Sequence, residues 1–231
     1  MMNLIDIINA NLHYIVEILV VVFGVLIAFF ITNVGEERKR RKRISQILEI
    51  VKLNFTTDIK KIDIEIGIIN KMEDNIIKIL DPNINNDKLS EDDKLSAFRF
   101  LYNHPSINIE KEGFYLLKDA DFNYDTKRNK IVSEIITVYS FHIASIERQR
   151  DRVIRNSENN TINHMQDPWL YYNQQTKEGR LKTLNYINEI INSESFINEI
   201  DYTAQCIFSN YRTALNDYKV RISEILERLK Q

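Results

Sequence analysis

Few side chains in this chain could do chemistry, and they are widely spaced. Its four histidines (His13, His104, His142 and His164) and its single cysteine, Cys206, form no H-x3-H or C-x2-C pair. Metal chemistry needs such ligands to converge on one ion, so neither a metal nor a cofactor is expected, and His142, at an inward helical register, reads as a satisfied core group. Cys206 alone cannot form an internal disulfide, which fits a reducing compartment. No Gly-rich phosphate loop or G-x-S-x-G turn is present. Trp169-Leu170-Tyr171-Tyr172 offers aromatic faces that could meet a partner or nucleobases, with a satellite core as the expected role. The basic run Arg148-Gln149-Arg150-Asp151-Arg152, with Arg155, reads as a solvated helix face. Arg99 precedes His104 at R-x4-H spacing. The most unusual group is Glu17, a carboxylate at the edge of a long apolar run. Such a group is costly in lipid unless it reaches water, pairs or faces a protein interior. In an assembly of several copies it would line a polar ring at a pore mouth; in a single copy it would reach the headgroups.

The element that positions Glu17 runs from Ile18 to Ile31, ILVVVFGVLIAFFI, and is followed by Glu36-Glu37-Arg38-Lys39-Arg40-Arg41-Lys42-Arg43. About a dozen Ile, Leu, Val and Phe side chains at roughly −0.3 to −0.6 kcal/mol each give about −5 kcal/mol of insertion free energy. This exceeds the roughly +3 kcal/mol that Glu17 would cost at mid-bilayer. With flanking residues from Tyr14 to Val34 the helix reaches about 20 residues, enough to cross. Gly24 and Ala28 form a small-xxx-small pair that permits close helix contact. The cations Arg38, Lys39, Arg40, Arg41, Lys42 and Arg43 would meet anionic headgroups at about 1 kcal/mol each. A signal peptide carries its positive charge before the apolar core, whereas residues 1–17 contain no Lys or Arg. A retained anchor is therefore expected, with the N-terminus outside and the rest cytoplasmic by the positive-inside rule.

The expected divisions are 1–14, a short external or interfacial segment with Leu4, Ile5, Ile8 and Leu12 on one face and His13 among headgroups; 15–34, the spanning helix; 35–43, the basic stop; and 44–231, a cytoplasmic helical domain. Charged residues make up 28% of the chain at net charge −2, so no global field draws it to nucleic acid. From Ile44 to Leu80 apolar residues recur at steps of three and four, the mark of an amphipathic helix or coiled-coil seam, with Thr56, Thr57 and Asp58 as exceptions. A kink is expected at Asn33-Val34-Gly35, because Gly is weak in helix interiors. Asp81-Pro82-Asn83 ends the long helix, and Ser90 with Asp93 starts the next, which stops before Pro105. A short helix is expected over Ile107–Leu117, then the acidic loop Asp119-Ala120-Asp121, then a longer helix from Thr126 or Lys127. Asn156–Pro168 reads as irregular. Two last helices follow, with Leu181, Leu184, Ile187 and Ile191 on one and Tyr202, Cys206, Phe208, Leu215, Tyr218, Ile222, Ile225 and Leu229 on the other. No alternating strand pattern appears. The fold class is all-α: a transmembrane helix running into a long amphipathic helix and a cytoplasmic helical bundle.

Glu17 to Ala28 followed by Ile31 to Lys39 resembles the motif E-I-x-L-V-x-x-G-I-L-I-A-x-x-I-N-N-W-N-E-x-x-K. That motif marks a bacterial family, common in Bacteroidetes, of single-pass anchored helical proteins known as a domain of unknown function. Gly113 to Lys118 with Ile131 to Ser140 also resembles that family's helix–loop–helix centre. The family's N-N-W-N is Thr32-Asn33-Val34-Gly35 here, which removes a Trp interfacial anchor. The resemblance implies bacterial inner-membrane attachment and a helical cytoplasmic part, and no activity. Separately, Arg99 to His104 resembles the R-x4-H motif of helical RNases of the higher-eukaryote-and-prokaryote nucleotide-binding class. That likeness implies an Arg steadying a phosphate and a His moving a proton, although Phe100 replaces the polar residue that usually follows the Arg. The expected role is non-enzymatic. The expected partners are the bilayer, further copies of the chain and an unidentified protein, but not nucleic acid; a pore-forming effector and a tethered RNase are the alternatives.

Overall fold

The computed structural model describes residues 4–105, 107–120, 127–164 and 176–230, and side chains within these except at 4–13, 15 and 127–129. The chain is all-α, and among the described residues no strand occurs. One helix, α1 (Leu4–Leu80), runs for 77 residues, about 115 Å at 1.5 Å per residue. It passes through Asn33-Val34-Gly35 without interruption, so the expected break there does not occur. A Cβ on Gly35 would meet nothing within 4 Å, and one solvent-facing Gly costs only about 1 kcal/mol, too little to end a helix with strong formers on both sides. Residues 4–14 are simply its first turns. The side chains of the proposed Leu4–Leu12 face and of His13 lie outside the described residues.

The two halves of α1 meet different surroundings. From Val16 to Ile31 its described apolar side chains are exposed on every face, as at Val20, Phe23, Leu26 and Phe30. Past the basic run, burial becomes one-sided. Leu48, Phe55, Ile62, Ile69 and Ile76, seven residues apart, are all buried, and Ile59, Ile66 and Leu80 pack at the margin. The bundle around this stripe consists of α2 (Glu91–Phe100), α3 (Glu112–Lys118), α4 (Lys127–Val138), α5 (Ala144–His164), α6 (Lys177–Ile190), α7 (Glu194–Ala204) and α8 (Arg212–Lys230). A π-helical turn over Tyr139–Ile143 joins α4 to α5, and another over Gln205–Tyr211 joins α7 to α8. The ion pairs Asp63–Lys219 and Glu73–Arg212 run in opposite sequence directions, so α8 lies antiparallel on α1.

Several boundaries follow the sequence. Asp81-Pro82-Asn83 ends α1, and the Ser90 hydroxyl caps α2 by accepting from the Asp93 amide at 3.1 Å. Others do not. Residues 107–111 are not helical, and the helix covers only Glu112–Lys118, because Ile107 and Ile109 are both buried with the exposed Asn108 between them, an alternation a helix cannot present. Asn156 to His164 is helical rather than irregular. Its inner face is polar there: Asn160 Nδ2 donates to the Leu101 carbonyl at 3.0 Å, and Asn156 Nδ2 to Thr203 Oγ1 at 2.7 Å. The last helical run begins at Glu194, capped by Ser193, and Leu181 and Tyr202 face outward rather than into the core. Trp169–Tyr172 and Asp121 lie outside the described residues.

Glycine shows how unevenly α1 is loaded. At Gly113 a Cβ would sit 2.6 Å from Val51 Cγ2 and 3.1 Å from Val51 Cα; there the backbone of α3 presses on α1, donating its N–H to Asn54 Oδ1 at 2.9 Å. At Gly67 a Cβ would meet nothing within 4 Å. Gly113→Ala is therefore expected to destabilise the full chain by about 1–3 kcal/mol. Gly67→Ala should stabilise it by about 0.5–1 kcal/mol. Urea unfolding in detergent, followed by helical circular dichroism, reads both, and shifts of the same sign would refute this packing.

Candidate functional site

Seven residues after Val51 on α1, where the stripe calls for another apolar side chain, stands Asp58, fully buried. Its carboxylate accepts the Glu110 amide N–H at 3.0 Å and the Tyr218 hydroxyl at 2.8 Å. It thereby ties α1 at once to the segment before α3 and to α8. Lys61, one turn on, donates to Glu110 Oε1 at 2.6 Å and to the Asn108 carbonyl at 3.0 Å. Aromatic rings close the node: Phe55 stacks on Tyr139 with centroids 5.3 Å apart and meets Tyr218 edge-on at 6.5 Å. Burial lifts the Asp58 carboxyl to about 6 against the pull of its two hydrogen bonds and Lys61. Burial likewise pushes the Tyr139 and Tyr218 phenols well above their usual range. A carboxylate this enclosed meets no solute, so it clasps helices and does not transfer protons to a substrate.

A second polar node gathers the far ends of three helices. His164, the last residue of α5, places Nε2 against Glu199 of α7 and Nδ1 2.9 Å from the Tyr186 hydroxyl of α6. Opposite a carboxylate Nε2 must carry a proton, so in a neutral ring Nδ1 accepts from Tyr186. The rings of Phe98 and Phe196 stand edge-on to the imidazole at 6.3 and 6.1 Å. This carboxylate–imidazole–phenol order resembles a nucleophile relay. Burial and the charges of Glu199 and Glu189 raise the Tyr186 phenol, which makes it a poor nucleophile, and the node serves to pin α5, α6 and α7 together.

The residues singled out in the sequence fall elsewhere. Glu17 is exposed among exposed Val16 and Ile18. A Cβ on Gly24 meets nothing within 4 Å, and Ala28 is exposed, its carbonyl accepting from Thr32 Oγ1 at 2.9 Å. Of the basic run, Arg40 and Arg41 both pair with Glu37, at 3.2 and 2.9 Å, while Arg38, Lys39, Lys42 and Arg43 are exposed on α1. Arg99 is exposed in the last turn of α2; His104 lies beyond the helix end, its Nδ1 3.4 Å from Ser157 Oγ. His142 is half-buried rather than enclosed, and desolvation lowers its imidazole below the usual range. The Asp58 node could have been found from its seven-residue step after Val51. Nothing in the sequence pairs His164 with Tyr186 and Glu199, which lie 22 and 35 residues away. No family model, curated protein or solved structure matches this chain.

The raised carboxyl of Asp58 makes stability depend on pH. Its folded value, about 6, lies above the unfolded 3.8, so the folded state holds the proton more tightly and stability falls as pH rises through that window. The loss is about 2–3 kcal/mol, complete above pH 6. Asp58→Asn should flatten this slope, measured as unfolding free energy between acid and neutral pH. An unchanged slope would show that another group carries it.

Proposed function

We propose that this chain is a non-enzymatic, single-pass protein of a bacterial inner membrane, with its N-terminus outside and its helical bundle in the cytoplasm. The bundle works by assembling with further copies or with a partner protein. The observation that carries this reading is α1 itself: the one described helix long and apolar enough to cross a membrane is also the helix around which the bundle packs. None of its most apolar stretch is buried against the chain, as a bilayer-facing surface requires. Six cations follow that stretch while residues 1–17 carry none, which sets the orientation by the positive-inside rule. A continuous helix also has no hinge at which to absorb motion, so tilting or rotation of the bundle reaches the membrane segment. The N-terminal motif's likeness to the anchored bacterial family agrees with this.

Glu17 favours a second reading, an oligomeric pore. Alone, an exposed carboxylate between Val16 and Ile18 must reach headgroups, whereas in an assembly it would line a wet channel.

Flotation with native membranes should carry the full chain upward and alkaline carbonate should not strip it. External protease should spare the bundle, and replacing Arg38, Arg40, Arg41 and Arg43 with Gln should yield a fraction whose bundle is cleaved from outside. A freely soluble full-length chain would end the proposal. Size-resolved analysis in detergent, paired with ion flux from loaded vesicles, separates the two readings. An assembly that never conducts is a scaffold; one whose conductance falls with Glu17→Leu is a pore.

A further inference from the structure

On the side turned away from the bundle, α1 carries a second apolar strip that no described residue covers. Leu53 and Ile64 are 67% and 66% exposed, and Ile68 is exposed beside them. Nine residues separate Leu53 from the buried Ile62, and nine separate Ile64 from the buried Phe55. Nine residues make about two and a half turns, so the strip lies straight across α1 from the core stripe. Counted from Leu53, Ile64 lies about three turns on, and Gly67 and Ile68 about four. In the other direction Gly35 lies about five turns back, Ala28 about seven and Gly24 about eight. The strip therefore continues into the apolar stretch, where small residues form it. A Cβ added at Gly24, Gly35 or Gly67 would meet nothing within 4 Å. Lys42, Lys60 and Lys71 also fall on this side and are exposed; their long stems carry the charge out to the edge of any contact.

We propose that two copies of this chain pair side by side in the membrane, α1 against α1 in the same direction, along the strip from Gly24 to Ile68. The pairing rests on the single-pass reading above and names the contact through which copies assemble. The two halves of the strip select the occupant. In water, apolar side chains on one face call for cover; in lipid, small residues let two helix backbones approach closely. A soluble partner would cover Leu53, Ile64 and Ile68 but not Gly24 and Ala28, and a partner confined to the bilayer would do the reverse. A second copy covers both, because the membrane holds its α1 parallel and at the same depth. The area is sufficient. From Gly24 to Ile68 is about 65 Å at 1.5 Å per residue, and a contact about 10 Å wide buries about 650 Å2 on each copy. The total of about 1,300 Å2 falls in the range of specific interfaces. Glu17, about ten turns back from Leu53, lies on the same side, so pairing turns it toward protein rather than acyl chains.

The test oxidises single-cysteine variants of the full chain with copper phenanthroline in native membranes, on a Cys206→Ala background. Leu53→Cys lies on the strip; Ile77→Cys, on α1 but about a third of a turn off it, and Val220→Cys, on α8, are equally exposed controls. Leu53→Cys is expected to give disulfide-linked pairs about 10-fold more than either control, since only facing Cα atoms come within the roughly 7 Å a disulfide spans. Adding Ile64→Lys sets like charges against each other and should lower that yield about 10-fold, with the urea midpoint in detergent unchanged because Ile64 is exposed in the single chain. Gly24→Leu with Ala28→Leu should also lower it, since bulk there holds the helices apart while the helix itself is strengthened. The same membranes are floated first, which keeps the two failures apart. A chain that does not float ends the single-pass reading and this proposal with it. A chain that floats but gives equal yields at Leu53 and Ile77, keeps its Leu53 yield in both variants, or joins Leu53→Cys only to another protein overturns the pairing alone.

Discussion

A single helix, α1, has to satisfy two surroundings along one axis, and everything else in the molecule is arranged around that constraint. Over Val16–Ile31 its apolar side chains face outward on all sides, which no water-solvated helix sustains without a partner. Over Ile44–Leu80 its apolar side chains gather mainly on one stripe. The change occurs across the basic run, where Arg40 and Arg41 lean back on Glu37. Because the helix crosses this boundary unbroken, the bundle's stability and the placement of the apolar stretch are properties of one element.

The bundle grips its half of α1 with polar contacts set inside the apolar stripe. Asp58 reaches two segments with one carboxylate, while Asp63–Lys219 and Glu73–Arg212 hold the antiparallel register of α8 from the flanks. Apolar contacts alone would tolerate a slide of one turn; a buried carboxylate with two donors would not, since a slip leaves a charge unpaired in a dry site. The same device recurs on α5, where Asn156, Asn160 and His164 meet Thr203, the Leu101 carbonyl, Glu199 and Tyr186. Polar residues facing inward thus supply specificity, and the aliphatic stripes supply most of the stabilisation.

Legibility in the sequence tracked this division. The apolar run, the stripe from Ile44 to Leu80, the Asp81-Pro82-Asn83 stop and the Ser90 cap could all be read, because each rests on local chemistry or a fixed period. The kink at Asn33-Val34-Gly35 was misjudged because a single Gly is a weak breaker between strong formers. Asn156–His164 was misjudged because hydrophobic periodicity is blind to a buried face made of amides and an imidazole. The segment before α3 misled for the opposite reason, since Ile107 and Ile109 point in and Asn108 out over too short a span for periodicity to register. The polar nodes themselves depend on contacts between residues up to 160 positions apart, which no local pattern reports.

The claim on which the account turns is that α1 runs straight from the apolar stretch into the bundle. With Cys206 replaced by Ala, spin labels at Phe30→Cys and Leu53→Cys, both exposed positions, would report it by pulsed dipolar spectroscopy in lipid bilayers. An uninterrupted helix rising through 23 residue steps from one label to the other predicts a narrow distribution of distances centred near about 35 Å. A broad distribution, or one centred well below that length, would mean that the helix breaks near Gly35 and that the bundle and the apolar stretch move independently.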